Sequence, residues 1–133
     1  MTMPTPPSTL GLRHLALNVK NLEACVEFYV KLLNMRIEWQ PDADNVYLTT
    51  GHDNFALHRA PAAFERDSNQ ALDHLGFFLS RPEDVDSWHE YFVKHGIEIK
   101  AKPRTHHDGA RSFYCADPEG NVVQLIYMPE FKG

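Results

Sequence analysis

The chain has 133 residues, a formal net charge of −5 and a hydrophobic fraction of 43%. This length suits one domain with one core, and the composition excludes the disordered, collagen-like and disulfide-stapled classes. No Lys or Arg block offers a surface for phosphate backbones, and no segment holds the roughly 20 apolar residues that cross a bilayer, so we predict a cytoplasmic protein without nucleic-acid or membrane partners.

The N-terminal segment and the two cysteines give little information about function. Residues 1–10 are predicted to be a flexible tail, because prolines stand where a signal peptide would have its apolar core. Residues 11–133 are predicted to form one domain. Cys25 and Cys115 lie in apolar surroundings without metal or redox spacing, so we interpret them as buried free thiols, with a structural disulfide as the alternative.

The first predicted elements are a strand and a helix. Residues 12–19 alternate between an apolar face and a face that carries His14. From Asn21, a predicted N-cap, apolar side chains recur at helical spacing as far as Asn34. Three short strands are predicted to follow, at residues 35–39, 46–50 and 54–59.

The same order of elements then begins again. A strand at residues 72–79 carries His74 near its start. Ser80 and Glu83 have capping-box spacing ahead of a helix that Gly96 ends. Three strands are predicted at residues 97–101, 112–116 and 121–127, with an Asp-Pro-Glu-Gly turn before the last.

Each half therefore has the order β-α-β-β-β, at about residues 11–60 for the first unit and 71–128 for the second. An internal repeat of this kind indicates duplicated supersecondary units. We predict an α+β fold in which two tandem βαβββ modules form curved mixed sheets around a cleft, with the helices outside.

Ligand-capable side chains stand among apolar neighbours in the first and last strand of each unit. They are His14, His58, His74 and Gln124. A lone strand histidine is ordinarily structural, but placement at repeat-related positions favours a common site, and imidazole binds divalent transition metals. The other histidines lie in loops or helices and are interpreted as structural or exposed, although His106 and His107 could border the site. These histidines are His52, His89, His95, His106 and His107.

The chain resembles the vicinal oxygen chelate superfamily, which includes glyoxalase I, extradiol dioxygenases, fosfomycin-resistance enzymes and bleomycin-resistance proteins. The resemblance spans residues 12–128 and rests on LRHLALNV at 12–19, EFY at 27–29 with LL at 32–33, DHL at 73–75 and RSFYCADPEGN at 111–121. It implies a homodimer and a divalent metal, such as zinc, iron, nickel, manganese or cobalt. The implied metal ligands are His14, His58, His74 and Gln124.

Gln124 departs from the family pattern, since metal-dependent members usually have glutamate there. An amide oxygen coordinates a metal but accepts no substrate proton, which weakens glyoxalase and extradiol dioxygenase chemistry. Four neutral ligands would leave the ion its full charge, which favours carboxylate, enolate or phosphonate groups. His58 is a candidate base if it is not a ligand, and Asp44 is a weaker one.

The strand before the Asp-Pro-Glu-Gly turn contributes two further candidates. Tyr114 and Arg111 are candidates to orient substrate, with ordinary edge-strand residues as the equal alternative.

Three functions follow from these residues. The first is a metal-dependent lyase, isomerase, dioxygenase or transferase acting on a small oxygenated molecule. The second is a metal-free protein that sequesters a drug or metabolite, as bleomycin-resistance proteins do, on aromatic side chains. The third and weakest is an interaction module. The candidate aromatics are Trp39, Tyr47, Phe55, Phe78, Phe113 and Tyr114. Whether the two units pair within one chain or across two is left open.

Overall fold

The computed structural model describes residue 10, residues 12–65 and residues 72–129. The strands are β1 (His14–Val19), β2 (Arg36–Asp42), β3 (Asn45–Thr49), β4 (Asn54–Arg59), β5 (Leu75–Phe78), β6 (Ile99–Thr105), β7 (Arg111–Ala116) and β8 (Val122–Tyr127). The helices are α1 (Leu22–Val26), which continues as a π-helix (Glu27–Leu32), and α2 (Pro82–Lys94). Apart from residue 10, the predicted tail lies outside the described residues.

The two halves repeat one topology. The first sheet has the order β1-β4-β3-β2 and the second has the order β5-β8-β7-β6. In each sheet the first and last strand of the unit pair in parallel, and the other neighbours are antiparallel. The predicted α+β fold of two tandem βαβββ modules is confirmed.

The first helix begins and ends where the sequence predicts, but its second half differs. The Asn21 side chain accepts a hydrogen bond from the Ala24 N–H, and Asn34 ends the segment with φ of 62°. The predicted regular α-helix becomes a π-helix after Val26, and the adjacent Phe28 and Tyr29 in this segment are both buried.

The start of α2 corrects the predicted capping box. Arg81 is the N-cap, without a side-chain cap hydrogen bond, and Pro82 occupies the first turn. Proline suits this position because its fixed φ matches the helix and its missing N–H has no helical partner there. Ser80 therefore lies one residue before the N-cap and is not the capping residue that the sequence predicted. The predicted end of the helix at Gly96 is confirmed by its φ of 71°.

The strands also shift at their ends. β5 is shorter than predicted because its pairing with β8 runs only from Leu75 to Phe78. β6 begins later and extends to Thr105, where it pairs with Arg111 of β7. The predicted Asp-Pro-Glu-Gly turn is confirmed, with the Gly120 N–H donating to the Asp117 carbonyl and Gly120 at φ of 83°.

One hydrophobic core joins the two units. Phe28 packs against Phe92 of α2 with ring centroids 5.8 Å apart, and Tyr29 packs edge-on against Phe55 of β4 at 4.8 Å. Both cysteines are free and buried in this core, as predicted. Within the described part of the chain, no helix has the length and apolar character needed to cross a bilayer.

Candidate functional site

Each sheet uses one face for the core and leaves the other open. On β1 the apolar face ends in the fully buried Val19, whereas His14, Ala16 and Asn18 on the opposite face are exposed. This alternation follows from the two-residue period of a strand. The open face of the first sheet therefore carries the polar residues that the sequence singled out.

His14 is held in one orientation by a chain of polar groups. Its Nδ1 lies 2.7 Å from Asn54 Oδ1, and Asn54 Nδ2 donates to Glu38 Oε2 at 3.2 Å. Since the carboxylate fixes the Asn54 amide, the amide oxygen faces the ring and Nδ1 carries the proton. The lone pair of His14 then lies on Nε2, which is the state that binds a metal.

His58 has the same arrangement at the other end of the face. Its Nδ1 lies 2.6 Å from Asn45 Oδ1, and Asn45 Nδ2 donates to both oxygens of Asp42 at 2.9 and 3.1 Å. The ring of Tyr47 meets His58 edge-on at 5.9 Å. In the neutral ring of His58, Nε2 is therefore also the nitrogen that carries the lone pair.

His74 lies just before β5 in the second unit. Its Nδ1 is 2.7 Å from the carboxylate of Asp73, and its ring is perpendicular to that of Tyr114 at 5.5 Å. A carboxylate that accepts the Nδ1 proton orients the ring and makes Nε2 a stronger ligand.

Gln124 lies beside this histidine on β8 and is buried. Its Nε2 donates to Ser112 Oγ at 3.1 Å and to the Tyr114 hydroxyl at 3.0 Å. The amide oxygen is left for another partner, and it lies 3.7 Å from the place where a Cβ on Gly76 would stand. The structure thus brings His74, Tyr114 and Gln124 together and keeps the space above Gly76 open.

The register separates His14 from His58. In the first sheet His14 pairs with Asn54 and His58 with Asn18, so the two histidines stand four residues apart along the strands, roughly 13 Å at about 3.3 Å per residue. Metal–imidazole bonds are only about 2.0 to 2.1 Å long, so two nearly parallel side chains at this spacing cannot share one ion.

The register also corrects the predicted repeat equivalence of His58 and Gln124. Gly76 pairs with Gln124 in the second sheet, and its counterpart Ala16 pairs with Ala56 in the first. Ala56 therefore holds the place equivalent to Gln124. The first unit therefore contributes one oriented imidazole, His14, at the position equivalent to His74, and the second unit contributes an imidazole and an amide.

Two other candidates face away from this site. Arg111 Nε and Nη2 donate to the Asp86 carboxylate of α2 at 3.0 and 2.6 Å, and Nη1 donates to Thr105 at 2.9 Å. This pairing lowers the pKa of Asp86 and raises that of Arg111. Asp44 is paired with Arg59 at 2.7 Å. Neither Arg111 nor Asp44 is placed to contact a substrate on the open faces.

The thiols are not nucleophiles in this fold. Burial, helped by the nearby Asp117 carboxylate, raises the pKa of Cys25 and of Cys115 to about 12. Both side chains therefore remain protonated near neutral pH and act as small apolar core groups.

The aromatic candidates divide between the core and the open faces. Phe55 and Phe113 are buried in the core. Trp39 is 59% exposed and stacks on Tyr47 with ring centroids 5.1 Å apart. The stacking pair lies on the His14 face because Tyr47 also contacts His58.

Asn54 orients His14, Asn45 orients His58 and Ser112 contacts Gln124, and none of the three was predicted. The alternation of β4 places Asn54 and His58 on one face, which was a usable signal for Asn54. The contacts of Asn45 and Ser112 depend on cross-strand register, which the sequence does not specify.

The donor set fits a transition metal only when both sheets contribute. The described residues contain no group of three or more His, Cys, Asp or Glu side chains arranged around one point. His14 lies on the first sheet, and His74 with Gln124 belongs to the second. Two oriented imidazoles and one amide oxygen suit zinc, iron or nickel better than magnesium or calcium, which take all-oxygen ligands.

Comparison with known proteins agrees with this architecture. Residues 11–125 match the family described as the glyoxalase/bleomycin resistance protein/dioxygenase superfamily. The metallothiol transferase FosB of Bacillus licheniformis is 25% identical over 118 residues, which cover 87% of this chain and 74% of that protein.

Solved structures show the same fold. A lactoylglutathione lyase from Agrobacterium tumefaciens has a TM-score of 0.73 at 22% identity, with 92% of this chain and 96% of that chain covered. The fosfomycin resistance protein FosX from Listeria monocytogenes has a TM-score of 0.72 at 22% identity, with 92% and 97% covered. By its matched residues and its paired βαβββ units, the chain belongs to the glyoxalase/bleomycin resistance protein/dioxygenase superfamily.

Proposed function

We propose that this protein is a divalent-metal-dependent enzyme that acts on a small anionic, oxygenated substrate, with His14, His74 and Gln124 as the metal ligands. The observation that carries this proposal is the orientation of the two imidazoles. Each donates its Nδ1 proton to a side-chain oxygen and so presents Nε2, while Gln124 uses both amide protons and leaves its oxygen.

The charge of this ligand set indicates the kind of substrate. All three ligands are neutral, so a bound divalent ion keeps its charge and attracts anionic oxygens. When bound, the metal supplies Lewis-acid chemistry to a substrate with two adjacent oxygens. Tyr114, whose hydroxyl accepts from Gln124, lies beside the ligands and is the candidate to contact substrate.

Gln124 favours a reaction in which no ligand removes a substrate proton. A glutamate there would serve as a base, whereas an amide cannot. Group transfer to a metal-bound substrate meets this condition, and the relative named metallothiol transferase supports it. We propose a transferase in preference to a glyoxalase or a dioxygenase.

We also propose that the protein is cytoplasmic and forms a homodimer in which the His14 face of one copy meets the His74 face of the other. His14 and Ala16 are exposed on the first sheet, and Gly76 and Phe78 are exposed on the second. Polar and apolar side chains at the floor of such faces are covered when a second copy closes the cleft.

Metal content tests the proposal. Untagged protein is expected to hold close to one divalent ion per site by plasma emission, and the double variant His14→Ala, His74→Ala is expected to hold little. His52→Ala, which removes a loop histidine, is the matched control and should retain the metal. Equal metal in the double variant and the wild type would reject the ligand assignment.

A metal-free binding protein is the second candidate. The exposed Trp39–Tyr47 stack favours it, because aromatic surfaces bind ligands without a metal. A ligand that binds equally with and without chelator, and is recovered intact after long incubation, would support this function over the enzyme.

A further inference from the structure

A cavity of about 350 Å³ lies between the first helix and strands β2 and β3. It is on the side of the first sheet opposite the His14 face, because Val46 in its lining alternates along β3 with Tyr47, which contacts His58 on that face. Aliphatic side chains form most of the described lining, and they are Leu22, Val26, Val30, Ile37, Ala43 and Val46. This volume and lining are typical of small-molecule sites, which enclose about 300–1,000 Å³ between apolar walls with a few polar groups.

In the second unit a larger side chain occupies the equivalent place. Val46 pairs with Leu57 of β4, and Phe113 of β7 pairs with Leu125 of β8. Leu57 and Leu125 directly follow the two residues of equivalent register described above, so Phe113 is the counterpart of Val46. The Phe113 ring is fully buried and contacts His89 of α2, with 5.4 Å between ring centroids. A valine at this place in the first unit leaves open the volume that a ring fills in the second.

The first helix also departs from the second where it borders the cavity. Val26 ends the α-helical part and Glu27 begins the π-helix, and both residues line the cavity. The equivalent helix α2 is regular from Pro82 to Lys94. Single π turns are rare and frequently occur at functional sites. Small side chains and a π turn thus coincide in the unit that has the cavity.

The charged side chains around the cavity indicate the kind of ligand. Both carboxylate oxygens of Glu23 accept hydrogen bonds from Arg59, at 3.2 and 2.5 Å. Glu27 and Lys31 also line the cavity, and within the described part of the chain neither side chain has an ion-pair partner. A ligand with one charge would meet one attracting and one repelling group, whereas a ligand with both charges can meet two attracting groups.

We propose that this cavity binds an aliphatic amino acid, with its ammonium group on Glu27 and its carboxylate on Lys31. The branched side chain of the ligand packs against Ile37 and Val46. Ile37 is 48% exposed, so the ligand removes part of its apolar surface from water. Because the cavity lies across the sheet from His14, this site does not depend on the proposed metal function.

L-Leucine and three analogues test the proposal by calorimetry with the full-length protein. Each analogue lacks one part of the ligand: 4-methylpentanoate the ammonium, isopentylamine the carboxylate and glycine the side chain. Each should bind at least about fivefold more weakly than L-leucine, the factor expected for one exposed ion pair. A free amino acid can also coordinate a metal, so every titration is made with zinc-loaded and with chelator-treated protein. L-Leucine should bind equally to both, and binding that requires zinc would overturn the cavity site.

An exposed substitution tests the ammonium contact. Glu27→Gln should weaken L-leucine binding about fivefold and should not weaken 4-methylpentanoate binding. Glu90→Gln, which removes an exposed carboxylate from α2, is the matched control and should bind L-leucine as the wild type does. Equal L-leucine affinity in Glu27→Gln and the wild type would overturn the assignment, as would the absence of L-leucine binding to the wild type.

Filling the cavity tests its location. Val46→Phe installs the ring that the second unit has and should abolish L-leucine binding without changing the zinc content. Val30→Phe fills the same cavity from the half-buried side of the helix and gives the test if Val46→Phe does not fold, as judged by circular dichroism. L-Leucine binding that persists in a folded filling variant would overturn the proposal.

Discussion

The hydroxyl of Tyr29 donates a 2.8 Å hydrogen bond to the carboxylate of Asp117 across the boundary between the two units. Both side chains are buried, and Asp117 also accepts from the N–H groups of Glu119 and Asn121 and from the Asn121 side chain. Burial and the adjacent carboxylate raise the pKa of Tyr29, so the phenol stays protonated as the donor. The bond links the first helix to the turn before β8.

Glu119 extends this link. Its two carboxylate oxygens accept from the N–H groups of Lys20 and Asn21 at 2.6 and 3.0 Å, at the start of α1. A negative charge at a helix N-terminus is favourable because it meets the unpaired N–H groups and the positive end of the helix dipole. The Asp-Pro-Glu-Gly-Asn segment, the most specific part of the family resemblance, therefore connects the second unit to the first helix through Asp117 and Glu119.

Tyr29→Phe should destabilise the protein by about 1–3 kcal/mol, because it leaves a buried carboxylate with one donor fewer. Urea unfolding at neutral pH measures the change in free energy. Tyr91→Phe removes the same atom from a partly buried ring of α2 and should cost less than about 0.5 kcal/mol. Equal costs for the two variants would show that the hydroxyl of Tyr29 makes no special contribution.

Asn54→Leu should weaken zinc binding by about 10- to 100-fold, because it removes the acceptor that orients His14. Chelator competition measures the affinity. Asn45→Leu is the matched control, since it removes the equivalent acceptor from His58, and it should leave zinc affinity unchanged. A similar loss in both variants would return His58 to the ligand set.

Gln124→Glu should tighten zinc binding by at least about tenfold, because a carboxylate offsets part of the charge of the ion. The hydroxyls of Ser112 and Tyr114, which now accept from the amide, can rotate to donate to the second carboxylate oxygen. The same competition assay measures the gain. Unchanged affinity would argue that this side chain does not reach the metal.

Arg111→Gln should reduce stability by roughly 0.5 kcal/mol at pH 7, since the pair with Asp86 is partly exposed. The guanidinium lowers the pKa of Asp86 in the folded state. The stabilisation is therefore present above the ordinary pKa of this carboxyl, 3.8, and is lost as the pH falls through the lower folded value, so the difference between the variant and the wild type should shrink as the pH is taken below 3.8. Urea unfolding across this range measures it.

Phosphonate binding should be unaffected by Arg111→Gln, because the side chain lies on the α2 side of β7. A loss of binding with unchanged stability would restore Arg111 to the site.

The sequence by itself determined the repeated unit, the positions of most strands and the side of each strand that enters the core. These features depend on local periodicity, so Leu15, Leu17 and Val19 could be assigned to one face without knowledge of the fold. The same alternation correctly placed His14 opposite the core. It could not relate His14 to His58, because their separation depends on how β1 and β4 are aligned.

Tertiary structure decided the site for that reason. A pairing shift of two residues keeps every side chain on its face yet moves a polar group by roughly 7 Å, so hydrophobic patterning cannot distinguish Ala56 from His58 as the counterpart of Gln124. The hydrogen bonds that orient His14 and His58 come from partners on neighbouring strands, and the ion pair that holds Arg111 comes from α2. Contacts between elements, which no local pattern encodes, fixed which of the predicted residues share one site.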